Sequence, residues 1–173
     1  MKILAALTLC ALPLTLALAG DTAGGGSPHT QIFAKHWTTS RDYTLALAKQ
    51  MPADAYSFKP VDAEMSFAEQ LVHLARANMY FMSQIAGEKP DMKKPATMDK
   101  DAVLKYVGDS FDYGSGVLGK ATEAQLMKTY KVEDQDMSGL EVIDLAMNHT
   151  SHHRGQLIVY LRLKNIKPTD YQF

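Results

Sequence analysis

Apolar positions along this chain recur at helical spacing in four long stretches and almost nowhere at the alternating spacing of a strand. Ile32, Phe33, Trp37, Leu45 and Ala48 mark the first stretch. It opens at Ser27-Pro28, a capping residue followed by proline in the first turn, and stops at about Gln50, ahead of Met51-Pro52. The second starts at Ser66-Phe67-Ala68-Glu69, where serine and a glutamate three residues on can each cap the other's backbone. It carries Phe67, Leu71, Leu74, Phe81 and Ile85 and ends at Gly87. A loop containing Pro90 and Pro95 follows.

The third stretch runs from near Asp99 to about Lys120 and contains Gly108, Gly114, Gly116 and Gly119. Each of these costs a helix about 1 kcal/mol relative to alanine, a cost that closely packed neighbours would explain. Residues 121–137 read as a short helix and then an irregular turn. The fourth stretch opens at a second box, Ser138-Gly139-Leu140-Glu141, and reaches about Lys164. Asn165 suits a left-handed stop, and Pro168 forbids continuation. Four long helices predict an all-α four-helix bundle over residues 28–173. The long connections after the first and third leave room for crossovers.

The segment before the bundle reads differently. Lys2, an almost wholly apolar run from Ile3 to Leu18, and Ala17-Leu18-Ala19 make residues 1–19 a secretory signal peptide. The run is too short to predict a stable membrane insertion once cleavage has occurred. Residues 20–27, with Asp-Thr-Ala-Gly-Gly-Gly at Asp21 to Gly26, form a flexible linker. The expected location is periplasmic or extracellular. The single cysteine, Cys10, lies inside the signal, so the mature chain has no disulfide and no thiolate ligand or nucleophile. The whole chain has 18 basic and 19 acidic residues and shows no basic stripe, so nucleic acid is not an expected partner.

Candidate chemistry concentrates in the fourth helix, at Asn148-His149-Thr150-Ser151-His152-His153-Arg154-Gly155-Gln156. His149 and His153 lie four apart, so their imidazoles leave one face a turn apart and can share a metal ion. At about 100° per residue they fall on an apolar seam with Val142, Leu145, His152, Gln156, Tyr160 and Leu163. Unpaired imidazoles in such a seam each cost about 1–3 kcal/mol, which a metal would offset. Position 150 is threonine, so the general base of an H-E-x-x-H protease is missing. His73 on the second helix offers a third imidazole. It shares a face with Ser66, Glu69, Gln70, Arg76, Tyr80 and Gln84, which reads either as a solvated surface or as a polar cleft facing the fourth helix.

Leu71-Val72-His73-Leu74, with His149-x-x-x-His153-Arg154-Gly155-Gln156 far downstream, resembles the DinB family of the DinB/YfiT-like metalloenzyme group. The likeness spans about Phe33 to Pro168. It implies a four-helix bundle with a divalent metal held by His73, His149 and His153, and often a homodimer. Characterised relatives include metal-dependent transferases and isomerases that use low-molecular-weight thiols. The export signal sets this chain apart from those cytosolic cosubstrates.

Three neutral imidazoles leave a metal position for water or substrate. All-nitrogen ligation suits zinc or nickel first, with iron, copper or manganese as further options. The expected function is an exported metal-dependent hydrolase or transferase acting on a small molecule, with His152 or Glu69 as proton-transfer group. The alternative is a non-enzymatic metal- or ligand-binding bundle. Gln156 is expected to bond a ligand imidazole or a metal-bound water, or else to pack as an interhelical amide. Arg154 is expected to be a structural ion-pair donor, and Gly155 to admit a neighbouring helix. Trp37 and Tyr80 are expected in the core, the alternatives being that Trp37 lines the pocket and that Tyr80 faces the site.

Overall fold

The computed structural model describes residues 27–91 and 93–172, so the segment expected to be a signal peptide and most of the expected linker lie outside the described residues. Among the described residues five α-helices, one 3-10 turn (Ala53–Ala55) and one hairpin make up the fold: α1 (Pro28–Gln50), α2 (Phe67–Ala86), α3 (Lys100–Lys120), α4 (Glu123–Met127), β1 (Thr129–Val132), β2 (Gln135–Ser138) and α5 (Gly139–Leu163). No described helix is long and apolar enough to cross a membrane.

The helix boundaries follow the capping chemistry of the sequence. Ser27 caps α1 with proline in its first turn. Ser66 with Glu69, and Ser138 with Glu141, form reciprocal capping boxes on α2 and α5. Gly87 closes α2 at φ 73°, a left-handed conformation that suits a residue without Cβ. Asn165 also takes a positive φ, as its place after the last helix predicts.

α1 packs on α3 and α5, and α2 also packs on α3 and α5. The helices therefore run round the bundle in the order α1, α3, α2, α5. Both long connections cross a diagonal, which the sequence left open. The arrangement sets α2 and α5 side by side, and these are the helices that carry the histidines.

Trp37, Leu47, Leu71, Phe111, Ile143 and Leu157 are fully buried in one continuous core. Trp37 anchors α1 to α3. Its Nε1 donates to the Phe111 carbonyl at 2.9 Å, and the two rings tilt together at 5.1 Å between centroids. Gly114 lies directly beneath the indole, where an added Cβ would stand 2.3 Å from Cζ2. That contact accounts for one helical glycine of α3. Gly108, Gly116 and Gly119 face nothing within 4 Å, so close packing explains none of them.

Two expectations need correction. Residues 129–138 form an antiparallel hairpin, not an irregular turn, in register Val132↔Gln135 and Thr129↔Ser138. Glu133 (φ 47°) and Asp134 (φ 67°) both adopt the left-handed conformation that a tight two-residue hairpin turn needs. Gly155 admits no helix, because nothing lies within 4 Å of a Cβ there. The tail does return to the bundle: Thr169 N donates to Gln50 Oε1 at 2.9 Å, and Tyr171 meets Tyr43 edge-on at 5.8 Å.

Candidate metal centre

The face of α2 that carries His73 borders a cleft, with His73 and Arg76 exposed along it. Gln70, one turn before His73, is fully buried. Asn78, on the next turns, is also buried and accepts a 2.8 Å hydrogen bond from Thr150 on α5. Thr150 follows His149 directly, so this buried pair fixes the register of α2 against α5 where the histidines meet.

His73, His149 and His153 each present a ring nitrogen, and the three nitrogens lie within 4.8 Å of one another. Ring centroids stand 5.1 Å apart for His73 and His149, 4.6 Å for His73 and His153, and 4.4 Å for His149 and His153. His153 is buried, His149 half-buried and His73 exposed at the mouth.

Nδ1 of His153 lies 2.6 Å from Gln70 Oε1. A carbonyl oxygen only accepts, so Nδ1 carries the proton and the Nε2 lone pair is left for another partner. Nδ1 of His149 is buried with no hydrogen-bond partner. A buried orphan nitrogen beside two further imidazoles is what a cation would satisfy, so the donor set fits a divalent metal.

The charge state agrees. Burial first, and then the neighbouring imidazoles of His149, His73 and His152, hold the His153 imidazole down to about 3. Burial, and then His73 and His152, lower His149. Burial, and then Arg76 and His152, lower His73. All three are therefore neutral lone-pair donors at pH 7.

This has a consequence for the metal-free protein. An unfolded histidine titrates at about 6.5. As pH falls below that value the unfolded chain gains protons that the folded site refuses, so stability is lost from about 6.5 down towards 3. Thermal melts of metal-free wild type between pH 7 and 4 should decline more steeply than those of His153→Gln. Parallel curves would refute the assignment.

A chain of side chains backs the metal-facing rings. Gln70 Nε2 donates to Gln156 Oε1 and, at 3.5 Å, to the Tyr160 hydroxyl, which itself donates to the Met65 carbonyl at 2.5 Å. Gln156 Nε2 lies 2.9 Å from His152 Nε2. Gln156 therefore reaches a ligand imidazole only through Gln70. Gln70 is the residue that sequence reasoning missed. Its signal was its place three residues before His73 on the same helical face.

Gln70→Leu keeps the side chain's bulk and removes the acceptor that orients His153. Metal affinity should fall about 10–100-fold with the fold retained, read by chelator competition. Unchanged affinity would show that the bond does not orient the ring.

The remaining predicted residues divide. His152 is exposed and stands edge-on to His153 at 4.9 Å. The Glu69 carboxylate is occupied: it accepts from Ser66 N at 2.7 Å and lies 3.6 Å from Lys59 Nζ. The Ser66 hydrogen bonds chiefly, then Lys59, hold its pKa low against slight burial. Arg154 is buried and structural, but among the described residues it has no carboxylate. Its Nη1 donates to Ser40 Oγ at 2.7 Å and its guanidinium lies 4.9 Å from the Tyr43 ring centroid. Trp37 belongs to the core and not to the site. Tyr80 does both things expected of it: half-buried, it packs against the core and lines a cleft of about 460 Å³ that opens on His73 and His149.

Comparison with known proteins agrees with this fold. The uncharacterised protein YjoA of Bacillus subtilis (strain 168) is 28% identical over 133 residues, covering 73% of this chain and 85% of that protein. The crystal structure of the same DinB-like B. subtilis protein superposes with a TM-score of 0.68 at 26% identity, covering 81% of this chain and 96% of that one. A DinB-like protein from Bacillus cereus ATCC 10987 shares the fold at a TM-score of 0.73 and 16% identity, over 82% of this chain and 96% of that one. The DinB family model matches residues 27–169. With its helical bundle and its cluster of three histidines, this chain belongs to the DinB family.

Proposed function

We propose that this chain is an exported metalloenzyme, a hydrolase or transferase acting on a small molecule, with a divalent ion held by His73, His149 and His153. The observation that supports it is the convergence of three ring nitrogens within 4.8 Å beside an open cleft. All-nitrogen donors favour zinc or nickel over iron or manganese. When bound, such an ion acts as a Lewis acid or lowers the pKa of a coordinated water towards about 7.

The chain's own residues supply the rest. Gln70 orients His153, and the Asn78–Thr150 bond holds α2 and α5 in register. His152, exposed beside the site, is the better proton-transfer group, because Glu69 is committed to capping α2 and to Lys59. Phe81 and Leu145 furnish an apolar wall that excludes water from one side of the cleft.

Elemental analysis of protein purified without a histidine tag tests this reading. About one zinc or nickel per chain is expected in the wild type, with turnover of ester, amide or thiol-transfer substrates. Metal bound without turnover of any of these would favour the binding bundle. Absence of metal would end the reading. Export is tested by the mass of protein recovered from the periplasm or medium, which should begin at Gly20.

A further inference from the structure

We propose that the cleft beside the three histidines selects small carboxylate ligands, with Arg76 as the anion receptor and Phe81 and Leu145 as the surface for the ligand's apolar body. This rests on the metal reading above and adds to it a substrate class.

Arg76 stands three residues after His73, so the two side chains share a face of α2 one turn apart. It lines the 460 Å³ cleft with His73 and His149, and also a second cleft of about 150 Å³ on the other side of His73. The larger volume lies in the range of small-molecule pockets. Arg76 is exposed and makes no hydrogen bond or ion pair with any described residue. A free guanidinium at the mouth of a half-apolar pocket is built for a planar, bidentate partner, which a carboxylate is.

The surrounding charges support the sign. Lys94, in the smaller cleft, adds a second cation without a described ion-pair partner. Glu69, in the same cleft, is held ionised by its capping bonds, and Lys59 at 3.6 Å offsets that charge. Glu133, on the hairpin turn, is the one carboxylate left facing Arg76 across the larger cleft. It opposes an incoming anion and keeps the receptor from being stronger still.

The test uses cobalt-loaded, full-length mature protein and two probes that offer the ion the same imidazole donor, imidazole-4-acetate and 4-methylimidazole. Cobalt d–d bands report binding. Wild type should bind the acetate about tenfold more tightly, the worth of a charge-assisted hydrogen bond at a half-open site. Arg76→Gln should lower the ratio about tenfold with 4-methylimidazole affinity unchanged, any chelation of cobalt by the acetate arm being common to both proteins. Glu133→Gln should raise the ratio, and Arg76→Lys should keep part of it. Equal binding of the two probes by wild type, or a ratio that survives Arg76→Gln, overturns the proposal while the metal reading stands. Failure to take up cobalt at all overturns both.

Discussion

Alanine at His149 or His153 is expected to strip the protein of its metal, with affinity falling by more than about 100-fold. Each removes one of three nitrogen donors, and no described carboxylate belongs to the cluster to replace it. His73→Ala should do the same, because its ring is the only donor from α2. The metal-free proteins should then differ in an informative way. His149 carries a buried Nδ1 without a partner, so His149→Ala removes an unsatisfied group and should leave the melting temperature of the metal-free protein nearly unchanged. His153 satisfies Gln70, so His153→Ala strands a buried amide oxygen and should cost about 1–3 kcal/mol. Elemental analysis with melts in chelator reads both effects. Full metal occupancy in His149→Ala would remove the basis for a three-histidine centre.

The largest loss of stability is expected at Trp37. Trp37→Ala removes a fully buried indole, its bond to the Phe111 carbonyl, and its contact with Gly114. Such truncations cost about 3–5 kcal/mol, which in a domain of this size lowers the melting temperature by on the order of 10 °C. Gly114→Ala attacks the same contact from the other side. With only 2.3 Å available, the Cβ must displace an indole locked between two helices, at a cost of about 1–3 kcal/mol. If the two residues share one strained volume, Trp37→Phe combined with Gly114→Ala should lose less than the sum of the single changes. Additive losses in calorimetry would show that the contact is softer than its geometry indicates.

What the sequence made legible was the local chemistry of helix ends. Ser66 with Glu69 and Ser138 with Glu141 announce α2 and α5, because a capping box is complete within four residues. His149 and His153 were legible for the same reason: their relation is internal to one helix. The hairpin was not, since its strands are short and half their residues are exposed, and Glu133-Asp134 lacks the glycine that usually marks such a turn. The role of Gln70 was missed because a helical wheel ranks residues by polarity and is blind to which neighbour arrives. Gln70 is polar and fully buried because α5 brings Gln156 and His153 to meet it. The diagonal order of the helices was likewise outside the reach of periodicity, which specifies faces but not partners.

That diagonal order bears on how the chain acquires its shape. In an up-and-down bundle each new helix can fold back on the one just made. Here α1 must wait for α3, with α2 and two long loops intervening, and of the four long helices only α2 and α3 are both consecutive and in contact. Closing distant segments first costs chain entropy, so this protein should mature more slowly than a helical bundle of its size with nearest-neighbour topology. Until α3 arrives, the buried side of α1 around Trp37 and Leu47 has nothing to cover it, and a newly made chain carries that sticky surface through the early part of its life.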